Sequence, residues 1–135
     1  MTANLPVVLY VEDDKNSLDI MRITLEVIME LPRVHYLENS ENFMERVRAF
    51  APQPDVFLLD IHMEPVDGFA MLTQLRADPA YAQSIVIALT ASVMNEEVRR
   101  LRTAGFNSVI AKPVDIDAFP TQLSRIISGN PVWTV

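Results

Sequence analysis

The sequence predicts an α/β fold of the doubly wound class, a five-stranded parallel sheet with helices on both faces. Three observations carry this. Apolar runs of strand length recur five times, and most are continuous rather than alternating, as in strands buried on both faces. Stretches with the apolar spacing of amphipathic helices follow each run, so strand and helix alternate throughout. The chain has 135 residues, the size of one domain, expected to have its core over about residues 6–129 and a short tail at 130–135.

The first strand is read at residues 7–11. The helix after it, at 17–31, places Leu18, Met21, Leu25 and Ile28 on one face and is ended by Pro32. The second strand, at 34–37, contains His35, expected to be structural. The second helix, at 41–50, turns Phe43, Val47 and Phe50 inward, with Asn39 and Ser40 as caps. The third strand is at 56–59. Its helix, at 68–76, carries Phe69, Leu72 and Leu75. The fourth strand is at 85–89, and its helix, at 96–103, carries Val98 and Leu101, capped by Asn95 and closed by Gly105. The fifth strand, at 108–111, leads to a helix at 118–128 with Phe119, Leu123, Ile126 and Ile127 inward. Asp117 is its expected cap, Pro120 sits in its first turn, and Gly129 closes it. The tail is short and somewhat apolar, open to docking or to fraying, and Trp133 is read as a packing residue, with an interface role as the alternative.

Composition excludes several functions. The formal charge of −7 opposes direct nucleic-acid binding, which needs clustered Lys and Arg. The absence of cysteine rules out disulfides, thiolate metal sites and cysteine nucleophiles. Glycine occurs only at 68, 105 and 129, so no glycine-rich nucleotide loop can be written. No apolar run approaches the roughly 20 residues that span a bilayer, and the N-terminus lacks the basic region of a signal peptide; a cytoplasmic location is expected.

In an open parallel sheet the binding crevice lies at the carboxyl ends of the strands. Here the first strand ends in Glu12, Asp13 and Asp14, the third in Asp60, the fourth in Thr90 followed by Ala91 and Ser92, and the fifth in Lys112-Pro113. Carboxylates about 5 Å apart repel by roughly 3 kcal/mol at an effective dielectric of about 20. A hard divalent cation with oxygen ligands relieves this; Mg²⁺ is the natural choice and Mn²⁺ a substitute. A carboxylate beside such a cation can attack phosphorus to form an acyl phosphate. Lys112 and the Thr90 hydroxyl are placed to bind phosphoryl oxygens.

The chain resembles the response-regulator receiver family, CheY-like, over essentially its whole length. The matching motifs are VLYVEDD, FLLDIHMEPVDG, IALTA and VIAKP, in order and at family spacings. The resemblance implies the strand order 2-1-3-4-5. It implies that Asp60 is the phospho-acceptor, and that Glu12, Asp13, Asp60 and the His62 backbone carbonyl hold the metal, with Asp14 peripheral. It further implies that Thr90 is the hydroxyl that moves toward the phosphoryl group, that Lys112 contacts it, and that Lys112-Pro113 is a cis peptide. Asp67-Gly68 matches the turn opening the third helix. The donor would be a sensor histidine kinase or a histidine phosphotransfer protein, with signalling by contact with a downstream protein and no catalytic turnover beyond phosphoryl uptake and autodephosphorylation. A stand-alone domain is expected, and a homodimer is compatible.

Two positions depart from the family pattern. Glu64 stands where Pro is common, with Pro65 after it, and adds negative charge near the site. Val109 replaces the Tyr or Phe often found three residues before the lysine, so no aromatic rotor can operate there. The signal is then expected to be read through the loop after Thr90, including Ser92, and the fourth helix, or through self-association. His62 is either a group leaning over the site to tune water access or a solvent-facing loop residue. Arg99, Arg100 and Arg102 are either a solvated helix face or a contact surface. Two alternatives stand beside the main reading: an unphosphorylated receiver-fold scaffold, and a haloacid-dehalogenase-type phosphatase. The latter is opposed by His62 standing where that class has a second Asp, and by the lack of room for a cap domain.

Overall fold

The computed structural model describes residues 5–133. Strands β1 (Val8–Val11), β2 (Val34–Leu37), β3 (Val56–Asp60), β4 (Ile85–Thr90) and β5 (Ser108–Ala111) form a parallel sheet in the order β2-β1-β3-β4-β5. Helices α1 (Lys15–Arg22), α2 (Phe43–Arg48), α3 (Gly68–Ala77), α4 (Asn95–Ala104) and α5 (Phe119–Ile127) alternate with them. The fold class and strand order are those the sequence predicts.

Side chains alternate across the sheet and build two cores. Leu9, Val11, Phe57, Leu59, Ala88 and Val109 pack under α2, α3 and α4. Val8, Tyr10, Leu58, Leu89 and Ile110 pack under α1 and α5, against Leu18, Leu25, Phe119 and Leu123. Leu58 and Phe57 in the central strand have no solvent exposure. Each such side chain contributes about 1.5–3 kcal/mol through burial.

Helix α1 is where the sequence reading fails most. After Arg22 the chain winds wider over Ile23–Ile28, with the Met29 N–H donating to the Thr24 carbonyl at 3.0 Å. The wider turn changes the phase, so Thr24 and Leu25 are buried while Ile28, expected inward, is 49% exposed. Glu30, at φ +53°, breaks the helix before Pro32 is reached. The expected caps also shift. Asn42, left-handed at φ +49°, precedes α2; Asn39 instead accepts from the Glu41 N–H and Arg46, and buried Ser40 accepts from the Val66 N–H. Met94 rather than Asn95 precedes α4. At α5, Ala118 precedes the helix, and Asp115 rather than Asp117 receives the nearby N–H groups.

Gly105, at φ +114°, closes α4 as expected. The tail docks: the Val109 N–H donates to the Val132 carbonyl at 2.9 Å, and the Val132 N–H donates to Ser108 Oγ at 2.9 Å. His35 stacks on Phe50 at 4.3 Å between ring centroids, a structural role.

A half-buried cation ties the amino ends of β4 and β5 together. The Arg76 guanidinium donates to the carbonyls of Ser84 (2.8 Å) and Ala82 (3.2 Å) and to Asn107 Oδ1 (2.8 Å). Asn107 Oδ1 also accepts the Val86 N–H at 2.7 Å.

Candidate functional site

The sheet ladder carries each site residue to its place. The Glu12 N–H donates to the Leu37 carbonyl (3.0 Å), the Ile61 N–H to Leu89 (3.2 Å), and the Lys112 N–H to Thr90 (2.9 Å). Glu12 and Asp60 stand side by side one residue past the Val11–Leu59 pair of the adjacent strands β1 and β3, while Lys112 follows the last residue of β5, with β4 between, and its long side chain reaches back across to them. Carboxylate oxygens of Glu12, Asp13 and Asp60 lie within 4.8 Å of one another. Lys112 Nζ sits 2.7 Å from Glu12 Oε1 and 3.2 Å from Asp60 Oδ2. The Lys112-Pro113 peptide is cis, and so is Glu64-Pro65.

Glu12 is buried and fully engaged. Its Oε1 also accepts from the Tyr10 hydroxyl at 3.0 Å, and Oε2 accepts from the Asp14 N–H at 3.1 Å. Burial pushes the Glu12 carboxyl up, against the opposing pull of Lys112 and the Asp14 N–H. Burial and the adjacent Glu12 carboxylate push the Tyr10 phenol well above its ordinary range, so it remains a donor. Burial pulls the Lys112 ammonium down, but its bond to Glu12 and the charges of Asp60 and Glu12 outweigh that and leave it above the ordinary lysine value. Lys112 thus stays cationic and shares its charge between two carboxylates.

Asp60 accepts from the His62 N–H at 3.0 Å, which fixes the loop after β3 against the carboxylate. Gly68 permits that loop to close: a Cβ there would stand 2.6 Å from Ile61 Cδ1 and 2.8 Å from Ile61 Cα. Asp67 caps α3 through the Ala70 N–H at 2.9 Å. Asp14 caps α1 through Ser17 and takes no place among the clustered carboxylates; the Ser17 N–H and hydroxyl hold its pKa down. Thr90 is buried, and its Oγ1 accepts from the Ser92 N–H at 3.1 Å. Ser92 is half-buried at the start of the loop toward α4.

The His62 and Glu64 side chains are exposed. With Asp13, Asp67, Glu97 and Arg100 they line an open cleft of about 440 Å³ beside the carboxylates. A cavity of about 470 Å³ near Pro6, Asp55 and Ile85 is at the opposite end of the sheet and gathers no comparable cluster of reactive groups. The arginines divide. Arg100 lies over the Phe69 ring at 4.4 Å and pairs with Glu97 at 3.5 Å, Arg102 lies over Trp133 at 5.0 Å, and Arg99 is exposed. Val109 is fully buried beneath the docked tail.

The donor set is oxygen-rich, with three carboxylates and no thiol, which fits a hard divalent cation such as Mg²⁺ rather than a soft metal.

The model of the response regulator receiver domain matches residues 8–124. The chain belongs to that family. An uncharacterized 14.6 kDa protein of Leptolyngbya boryana is 28% identical over 124 residues, covering 89% of this chain and 86% of that protein. The virulence sensor protein BvgS of Bordetella pertussis is 29% identical over 126 residues, covering 90% of this chain, which spans only 10% of that protein. The chemotaxis response regulator CheY4 of Vibrio cholerae shares the receiver fold, with a TM-score of 0.80 at 19% identity over 91% of this chain and 99% of that one. Among the described residues, no helix of this receiver is long and apolar enough to cross a membrane.

One site residue escaped the sequence reading. Tyr10 looked like core, yet strand alternation puts it on the same face as Glu12, and that two-residue spacing was the available signal.

Proposed function

We propose that this receiver accepts a phosphoryl group on Asp60 in a Mg²⁺-dependent reaction, from a sensor histidine kinase or a histidine phosphotransfer protein in the cytoplasm. The observation that supports it most is the meeting of Glu12, Asp13, Asp60 and Lys112, from three separate strands, in one crevice. An Asp60 oxygen attacks phosphorus, the O–P bond forms, and the P–N bond of a phosphohistidine breaks, its electron pair returning to the imidazole.

Glu12, Asp13, Asp60 and the His62 carbonyl would hold Mg²⁺ (or Mn²⁺), which neutralises phosphoryl charge when bound. Lys112 holds a positive charge at the other side of the acceptor and turns from Asp60 to a phosphoryl oxygen. Tyr10 and Asp14 keep Glu12 oriented while Lys112 moves. Thr90 exchanges the Ser92 N–H for the phosphoryl group, which pulls the 90–95 loop and α4. His62 and Glu64 at the rim govern water access and hence phosphate lifetime. The domain acts as a phosphoryl carrier without substrate turnover, and its output is contact with a downstream protein.

The test is incubation with MgCl₂ and acetyl phosphate, read by intact mass. One phosphoryl group should add to the wild type, and none in EDTA or to Asp60→Asn. An adduct that persists in Asp60→Asn, or no adduct at all, refutes the assignment.

A further inference from the structure

The cleft beside the carboxylates is acidic, with one positive wall. Its charged and titratable lining is Asp13, His62, Glu64, Asp67, Glu97 and Arg100. Among the described residues, Arg100 is the only Lys or Arg there. Lys112, the other cation near Asp60, shares a small cavity with Tyr10, Ser17 and Met21 instead, on the side of α1. An anion entering the cleft therefore meets four carboxylates and a single guanidinium.

That guanidinium is held ready for a ligand. It lies over the Phe69 ring at 4.4 Å, and Phe69 is braced edge-on against Phe106 at 5.9 Å. Stacking occupies the face of the guanidinium and leaves its N–H edges open. The side chain is 66% exposed, and its 3.5 Å contact with Glu97 is longer than the roughly 2.7–2.9 Å of a charge-assisted hydrogen bond. Glu97, three residues back on α4, is thus a loose partner that an incoming anion can replace.

We propose that Arg100 admits small acyl phosphates as phosphoryl donors by binding the carboxylate that leaves. This rests on Asp60 being the acceptor. An Asp60 oxygen attacks phosphorus and the new O–P bond forms. The acyl O–P bond breaks, its electron pair goes to the departing carboxylate oxygen, and no proton moves. In-line displacement sets that oxygen across phosphorus from Asp60, where the carboxylates of the cleft oppose its growing negative charge. Arg100 offsets them with a planar fork that matches a carboxylate. A donor with a P–N bond has no such need, because its protonated nitrogen takes the electron pair and leaves as a neutral amine. Arg100 therefore sets the preference between these two classes of donor.

The test compares acetyl phosphate with phosphoramidate at saturating MgCl₂ and sub-saturating donor, with intact mass followed over time. Arg100→Ala should slow phosphorylation by acetyl phosphate about three- to fivefold, the upper range for an exposed charge contact, and leave the phosphoramidate rate unchanged. Arg99→Ala removes the same charge from an exposed residue outside the cleft lining and should alter neither rate. If the alanine variant at 100 does not fold, Arg100→Gln, which keeps the stem over Phe69, replaces it with the same expectation. Equal slowing with both donors, no slowing with acetyl phosphate, or the same slowing in Arg99→Ala overturns the proposal and leaves Asp60 as the acceptor. A wild type that takes a phosphoryl group from neither donor overturns the assignment of Asp60 and this inference together.

Discussion

Replacing Asp13 by Asn should make the metal-free protein more stable and abolish its response to magnesium. The carboxylate oxygens of Glu12, Asp13 and Asp60 lie within 4.8 Å of one another. At that separation two unit charges repel by about 3.5 kcal/mol at an effective dielectric of about 20, and by about 0.9 kcal/mol at that of water. Lys112 offsets Glu12 and Asp60 directly and does not touch Asp13. Asp13 is also exposed, so solvent screening puts each of its two repulsions near the lower figure. Removing its charge then stabilises the metal-free fold by about 1–2 kcal/mol. For 135 residues unfolding near 60 °C with about 0.28 kcal/mol/K of entropy, that is a rise in Tm of about 4–7 °C. In the wild type, magnesium at ten times its Kd should add about 1.4 kcal/mol. Calorimetry of both proteins in EDTA and in MgCl₂ measures all four values. A variant that melts lower than wild type in EDTA, or that still gains stability from magnesium, would refute the electrostatic account of the crevice.

Further outcomes are expected elsewhere. Lys112→Met should destabilise the metal-free protein by roughly 2–3 kcal/mol, less than the roughly 3–5 kcal/mol of a fully buried broken pair, and magnesium should restore part of it; urea titrations with and without MgCl₂ decide this. Tyr10→Phe removes one hydrogen bond to a buried carboxylate and should cost about 1–2 kcal/mol while leaving magnesium binding in place, a pattern that separates a positioning role from a ligand role. Gly68→Ala, favourable by helix propensity alone, should instead lower stability by about 1–3 kcal/mol, because the added carbon meets the Ile61 backbone at 2.8 Å. The Ala80 N–H, and then Arg48, hold the Asp78 carboxyl below its usual range. Its contribution is therefore present above the unfolded pKa and is lost as pH falls through the folded one. Asp78→Asn should flatten the stability profile below about pH 4, measured by thermal melts across the acid range.

The sequence made the strands and the crevice legible for a common reason. Runs such as 56–59 are continuous and apolar and stop at a charged residue, so the strand and the end that matters were read from one signal. β2 and β5 matched the sequence reading to the residue. Misreadings came where a local backbone state broke a period. The wider winding over Ile23–Ile28 turned Ile28 outward, and left-handed Asn42 delayed α2 until Phe43. Caps were misjudged because Asn39, Ser40 and Asp115 bond to neighbours that only tertiary contact or turn geometry brings near. The aromatic partners of Arg100 and Arg102 lie on α3 and on the tail, far away in sequence, so no spacing rule could announce them.

The Arg76 clamp has a bearing on how any rearrangement can travel. It fastens the end of α3, the start of β4 and the turn leading into β5 at the end of the sheet remote from Asp60. Through the Gly105 carbonyl it also touches the carboxyl end of α4. The loop from Thr90 joins α4 at the other end, by Met94, so a change begun at Thr90 would enter the helix at the end farthest from this tether.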